Sequence, residues 1–243
     1  MSNNVKTSPM ELGSMPIGKL LVQYSVPAII ASLATSLYNI IDSIFIGRGV
    51  GAMAIAGLAI TFPLMNLVAA FVMLVAVGGA TISSIFLGQG NIRRATDTVN
   101  NVFLLCMVHA VIFGGGSLLF LDEILIFFGA TAETLPYAHE FMEVILYGTP
   151  VSFILIGLNN VMRATGYPTK AMITALISVV VNIVLCPIFI FTFDWGIKGA
   201  ALATICGQSV GALWVLAHFL SHKSFVRLRI RDSWFNKAII NRI

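Results

Sequence analysis

Charged residues are scarce in this sequence. Of its 243 residues only 10% are Asp, Glu, Lys or Arg, whereas a soluble domain carries about 25%. Hydrophobic residues make up 58% of the chain, and its mean hydropathy is +0.95. This composition excludes a soluble enzyme and predicts an integral membrane protein. We expect no nucleic-acid partner for such a chain.

Cysteine is also rare, with three residues in the whole chain. Cys106, Cys186 and Cys206 all lie within apolar stretches, and their spacing fits neither a metal site nor a disulfide framework. We interpret them as small packing residues and expect no resident metal and no cofactor. His139 lacks the second histidine of a zinc-protease motif, and no nucleophile stands beside a base. The sequence therefore does not predict an enzyme.

Long apolar stretches are abundant, and each is long enough to cross a bilayer as a helix, which takes about 17–25 residues. The six segments cover residues 20–47, 49–92, 98–121, 144–162, 171–193 and 199–222. They predict an all-α membrane protein, a bundle of six transmembrane helices. We divide the chain into an N-terminal arm (1–16), a six-helix transmembrane lobe (17–221) and a basic cytoplasmic linker (222–243). The linker is amphipathic enough to lie on membrane lipid.

Basic residues are distributed unevenly between the two sides of this predicted topology. Twelve of the 14 Lys and Arg residues fall on the side of the two termini, and only Arg48 and Lys198 fall on the other. Such a bias marks the cytoplasmic side of a membrane protein. We therefore expect a multi-pass protein with both termini in the cytoplasm.

One acidic residue, Asp42, lies within the first apolar segment. Inserting a carboxylate into a membrane costs a few kcal/mol, so such a group normally faces a bundle interior or an aqueous cavity. This makes Asp42 the leading functional candidate. The alternative is that Asp42 lies at the headgroup level and only marks the end of the helix.

A few other polar side chains lie inside the predicted spans. Asn182 and Thr204 fall at depths compatible with that of Asp42, and the three offer oxygen ligands suited to a monovalent cation such as Na+. The same group could hold a protonated Asp42, because burial disfavours the charged form of a carboxylic acid. A purely structural network remains an alternative. Further candidates for lining a cavity are Asn39, Asn159, Asn160, Cys186 and Gln208.

Several motifs in order resemble those of the multidrug and toxic compound extrusion (MATE) transporters. They are Pro27 followed by YNIIDSIFIGRGVGAMAIAGLA, then LGQGNIRRA, LNNVMRATGYPTKAM, NIVLCPIFIF and GIKGAALAT. The resemblance covers nearly the whole chain and is strongest to the prokaryotic branch related to DNA-damage-inducible efflux proteins. It implies antiport of cationic or amphipathic drugs against H+ or Na+ in the inner (plasma) membrane of a prokaryote. It also implies that Asp42 binds the coupling ion, with Asn182 and Thr204 nearby.

Two features depart from the family pattern. The branch often has an aspartate where this chain has Cys186, and a thiol is a poor ligand for a hard cation, which favours protonation of Asp42 over Na+ binding. The family also has twelve helices in two six-helix lobes, whereas this chain has one lobe and a linker. We therefore expect a fragment, or a half that pairs with a second six-helix lobe.

Two other functions are compatible with the sequence. A lipid-linked precursor flippase belongs to a distantly related class, but such proteins usually have a more cationic cavity, and the sequence suggests no Arg or Lys inside the membrane. A non-transporting assembly subunit of half size is the other alternative.

Overall fold

The structure, a computed structural model, describes residues 16–221, 224–228 and 237–240. Most of the predicted N-terminal arm and most of the predicted linker lie outside these residues. Within them the chain is helical and contains no strand. The helices are α1 (Ile17–Gly49), α2 (Ala52–Gly88), α3 (Ile92–His109), α4 (Gly116–Leu119), α5 (Leu121–Phe127), α6 (Leu135–Tyr147), α7 (Thr149–Ala164), α8 (Pro168–Pro187), α9 (Gly196–Leu220) and α10 (Lys237–Ile240). Two π-helical turns, Ala110–Gly115 and Ile188–Thr192, continue α3 and α8.

Six segments of the described chain are long and apolar enough to cross a membrane. Five are single helical segments, two of which include a π-helical turn. The sixth is the pair α6 and α7, which meet at an angle of 57°. The prediction of an all-α, six-helix membrane protein is therefore confirmed. The predicted spans differ from the observed helices mainly in their ends, because hydropathy defines the apolar centre of a span better than its termini.

The fourth span is the one that differs most from its prediction. It starts at Leu135, nine residues before the predicted start, and is broken between Tyr147 and Thr149. Pro150 lies at the start of α7 and has no backbone N–H, so the helix of α6 cannot continue through it. Gly148 stands at the break, where a Cβ atom would meet the side chain of Ile205 on α9 at 2.0 Å. The bend thus coincides with a close approach to α9.

Apolar side chains pack in two clusters. The larger one joins α2, α3, α6 and α7 and includes Val72, Val102 and Leu158, which are all fully buried. The smaller one surrounds the turn between α1 and α2 and includes Ile46 and Ile197. Because lipid is as apolar as these side chains, close packing stabilises the bundle more than burial from water does.

Helix α1 is packed less closely than the others. Only 17% of its most apolar window is buried, compared with 44% for α9. Its main neighbour in the lobe is α8, which in turn packs along α9. The three helices α1, α8 and α9 therefore form the side of the lobe on which the polar candidates can meet.

Candidate functional site

Asp42 is buried in the described structure, with 8% of its surface exposed. It lies in the last third of α1, on the side that packs against α8. The thiol of Cys186 donates a hydrogen bond to Asp42 Oδ1, with an S–O distance of 2.9 Å. The carboxyl group is thus held inside the bundle by a side chain that is 144 residues away in the sequence.

Asn182 and Thr204 form a second buried pair, between α8 and α9. Asn182 Nδ2 donates to Thr204 Oγ1 at 3.1 Å, and Thr204 Oγ1 donates to the carbonyl oxygen of Ala200 at 3.2 Å. Their exposed fractions are 3% and 7%. The Asn182 amide nitrogen and the Thr204 hydroxyl group therefore both have partners, as buried polar groups require.

A glycine on α9 allows this second pair to form. A Cβ atom on Gly207 would lie 2.5 Å from the carbonyl oxygen of Ser178 and 3.3 Å from Cβ of Asn182. Any larger residue at this position has to push α9 away from α8. Small residues permit this kind of close helix approach in membrane proteins.

The two pairs share one face of α8. Asn182 and Cys186 are four residues apart, so they lie one helical turn apart on the same side of the helix. Asp42 is therefore next to the layer formed by Asn182 and Thr204. Among the described residues, however, no hydrogen bond joins Asp42 directly to Asn182 or Thr204. The structure brings the three predicted residues to adjacent levels, with Cys186 as the direct partner of Asp42.

A cavity of about 530 Å³ lies beside the Asn182–Thr204 pair. Its walls come mainly from α1, α7, α8 and α9, with Met73 of α2 on one side. Asp42 is not among the residues that line it. The polar lining residues are Ser32, Thr35, Ser36, Tyr38, Asn159, Asn160, Arg163, Ser178, Asn182, Thr204 and Gln208. The cavity is therefore polar along much of its wall and apolar where Ala, Leu, Ile, Met and Val side chains contribute.

Three of the five predicted cavity residues, Asn159, Asn160 and Gln208, line this cavity. Cys186 does not line it and binds Asp42 instead. Asn39 is exposed and lines a separate groove with Arg48 near the α1–α2 turn. The amide groups that line the cavity already have partners. Asn159 Nδ2 donates to Ala171 O at 3.2 Å, Asn160 Nδ2 donates to Ile156 O at 2.9 Å, and Gln208 Oε1 accepts from Ser152.

Arg163 and Tyr38 are two of the lining residues that the sequence did not predict. Arg163 falls just outside the fourth predicted span (144–162), but it lies in the last turn of α7, is half-buried and lines the cavity. Tyr38 also lines the cavity, one turn before Asp42 on α1. The spacing contained the signal in both cases, because residues three or four apart share a helix face: Arg163 follows Asn160 by three, and Tyr38 precedes Asp42 by four.

Comparison with known proteins gives a consistent result. A family model described as MatE matches residues 27–188. The chain is 29% identical over 231 residues to the Multidrug export protein MepA of Staphylococcus haemolyticus, covering 93% of this chain and 50% of that protein. It is 28% identical to the protein of the same name from Staphylococcus aureus, covering 94% of this chain and 51% of that protein. The chain thus spans about half the length of the curated relatives it matches.

Solved structures show the same similarity in three dimensions. One is described as the crystal structure of MATE in the bent conformation, with a TM-score of 0.89, 26% identity, and coverage of 96% of this chain and 52% of the other. Another is described as the outward-facing conformation of a multidrug resistance MATE family transporter of the MOP superfamily. Its TM-score is 0.89 at 26% identity, and the match covers 97% of this chain and 52% of that chain. In both cases the similarity extends over nearly all of this chain.

Proposed function

Because this chain belongs to the MatE family, we propose that it forms a six-helix lobe of a secondary active transporter that exports amphipathic drugs in exchange for a coupling ion. The chain is a multi-pass membrane protein, and curated relatives at 28–29% identity are named multidrug export proteins. The single observation that carries the proposal is a carboxyl group buried inside the bundle, one helical turn from a cavity large enough for a small molecule.

Asp42 is the proposed site of the coupling ion. Its side chain is 8% exposed, and its described hydrogen-bond partner is the thiol of Cys186. Among the described residues, no cationic side chain lies within 4.0 Å of it to stabilise a permanent negative charge. A buried carboxyl group in this setting is stabilised by accepting a proton or a cation. Asn182 and Thr204 form the adjacent layer, through which a change at Asp42 reaches the cavity wall.

H+ is the proposed coupling ion. Na+ prefers several hard oxygen ligands, and a thiol is a poor substitute for one of them. Cys186 also presents its S–H to Asp42 Oδ1, which is the position that a cation would have to take. The Asn182 amide nitrogen likewise points to Thr204 Oγ1, so this hydroxyl is already engaged. Protonation of Asp42 requires no such displacement.

A second six-helix lobe is the proposed partner. Ser32, Ser36 and Asn39 lie on exposed parts of α1, at the spacing of one helix face. A polar stripe of this kind is unfavourable against lipid tails and favourable against protein or water. In related two-lobed transporters the substrate site lies between the repeats. We place this stripe at the interface of the two lobes, in a plasma-membrane protein whose termini both lie in the cytoplasm.

Asp42→Asn tests the proposed role of the carboxyl group. We would express the complete transporter containing this chain in cells and measure efflux of a panel of fluorescent amphiphiles. The asparagine keeps the shape of the side chain but cannot bind and release a proton, so efflux should fall to the level of cells without the transporter.

Asp194→Asn is the matched control. Asp194 is exposed and has a φ of 54°, a left-handed conformation that asparagine tolerates well, so this variant should export normally. Unchanged efflux in Asp42→Asn would reject the assigned role, and equal loss in both variants would show that the effect is not specific to the buried site.

A further inference from the structure

The cavity has an electrostatic character that the family resemblance did not suggest. Arg163 is the only charged residue among the described residues that line it. No described carboxylate lies within 4.0 Å of its guanidinium group. Asp42, the acidic group nearest to this region along α1, is outside the lining and bound by Cys186. The inner surface of the cavity therefore carries positive charge.

The other polar groups leave Arg163 as the strongest donor in the cavity. The side-chain amides of Asn159 and Asn160 already donate to backbone carbonyl oxygens, and Gln208 Oε1 accepts from Ser152. A guanidinium group has five N–H donors in a fixed planar arrangement, and it pairs well with carboxylate, sulfonate or phosphate oxygens. Such a group in a half-buried position, with no acidic partner, is suited to an anion.

The shape of the cavity adds an apolar part to this site. On α7 the lining runs from Leu155 to Arg163, a distance of about 12 Å at 1.5 Å per residue. Met73, Ile156 and Val179 provide apolar surface along the way. A ligand that fills this space has an apolar body and a polar head at the Arg163 end.

We propose that this cavity takes an amphiphile whose head group is an anion, that Arg163 binds the head group, and that a cationic drug is disfavoured there. This inference rests on the proposed export function, since it names the substrate class of the same transporter. Both a free anionic amphiphile and the phosphate head group of an anionic lipid have the required chemistry.

A pair of probes that differ in one group tests the proposal. The complete transporter containing this chain would be placed in phosphatidylcholine nanodiscs, and binding of anilinonaphthalene sulfonate and of its neutral analogue phenylnaphthylamine would be measured by calorimetry, with empty nanodiscs as the blank. We expect the sulfonate to bind about tenfold or more tightly than the neutral analogue, as for a charge-assisted hydrogen bond.

Variants at two arginines assign the effect to the cavity. Arg163→Gln should weaken sulfonate binding by about tenfold and leave the neutral probe unchanged, and Arg163→Lys should retain most of the sulfonate affinity. Arg93→Gln is the control, because Arg93 is exposed and does not line the cavity. Unchanged binding of the neutral probe also shows that the Arg163→Gln cavity is intact.

Three results would overturn the proposal: equal binding of the two probes by the unaltered chain, equal weakening of both probes by Arg163→Gln, or no effect of this variant. Repeating the titrations in phosphatidylglycerol nanodiscs separates the two sources of the anion. Competition by this lipid that disappears in Arg163→Gln identifies a lipid head group, and no competition identifies a free amphiphile. The experiment needs no ion gradient, so its outcome is independent of whether Asp42 couples transport to protons.

Discussion

Asp42 and Arg163, two charged residues near the polar side of the lobe, lie in opposite surroundings. Asp42 is 8% exposed, is bound by a thiol and stays outside the cavity, whereas Arg163 is half-buried and lines the cavity wall. The layer formed by Asn182 and Thr204 lies between the two regions, because it borders the cavity and is one turn of α8 away from Cys186. We propose that this difference separates two functions: the enclosed pocket of Asp42 binds the coupling ion, and the adjacent cavity binds the larger ligand.

The two regions also depend on packing to different degrees. The Asp42 pocket requires α1 to stay against α8. Only 17% of the most apolar window of α1 is buried, compared with 44% of that of α9. The cavity requires α8 to stay against α9, where glycines permit very close approach. Changes in α1 should therefore affect the ion pocket, and changes in α9 should affect the layer between the two regions.

Gly207→Ala should disturb that layer most strongly. The added methyl group would lie 2.5 Å from the carbonyl oxygen of Ser178, so α8 and α9 must move apart. Overpacking of this kind costs about 1–3 kcal/mol. We expect a lower free energy of unfolding in detergent titrations and weaker probe binding in the cavity.

Gly116→Ala is the matched control for this change. A Cβ atom on Gly116 meets nothing within 4 Å, and the residue is helical. Alanine should leave stability unchanged or raise it slightly, since it is the better helix former. If both alanine variants have the same stability as the unaltered chain, the close approach at Gly207 is not needed for the fold.

Cys186→Asp should change the ion that the Asp42 pocket accepts. A second carboxylate beside Asp42 supplies the hard oxygen ligand that the thiol lacks, so Na+ should bind about tenfold or more tightly than in the unaltered chain. The measurement is binding of radioactive Na+ by the purified chain, with choline as the replacement cation. Cys186→Ser, a change of similar size without a new carboxylate, should bind Na+ as weakly as the unaltered chain. Tight Na+ binding without any substitution would contradict the assignment of H+.

Thr204→Val should have the smallest effect. It removes the acceptor of the Asn182 amide and leaves that N–H without its partner, at a cost of about 1 kcal/mol. Thr204→Ser keeps the hydroxyl and should be close to neutral. Thermal unfolding of the two variants in the same detergent makes the comparison. Destabilisation by serine together with no effect of valine would show that the methyl group, and not the hydrogen bond, stabilises this layer.

The six-helix bundle could be predicted from the sequence, but the contacts between its helices could not. Six spans follow from apolar length alone, and the buried setting of a carboxylate such as Asp42 follows from the cost of exposing it to lipid. The partner of Asp42 could not be predicted from the sequence. Cys186 contacts Asp42 because α1 packs on α8, and no local sequence pattern indicates that contact. Arg163 is not predicted to line the cavity, because basic residues outside the apolar spans are interpreted as marking the cytoplasmic side of the membrane.

The bend in the fourth span shows the same limit. Gly148 and Pro150 were visible in the sequence, but an apolar window treats both as part of one continuous helix. In the folded bundle the break lies against Ile205 of α9, a contact that no local pattern contains. Local sequence therefore indicates where a helix can break, and only the packed bundle shows which distant helix lies against the break.

The most direct test of proton exchange at Asp42 uses proteoliposomes that contain the complete transporter with this chain. Either a pH gradient or a Na+ gradient would be imposed, and substrate movement would be recorded together with the internal pH. We predict that the pH gradient alone drives transport, that protons move opposite to the substrate, and that Asp42→Asn stops both movements while Asp194→Asn stops neither. Transport driven by Na+ without a pH gradient, or proton exchange that persists in Asp42→Asn, would contradict this account.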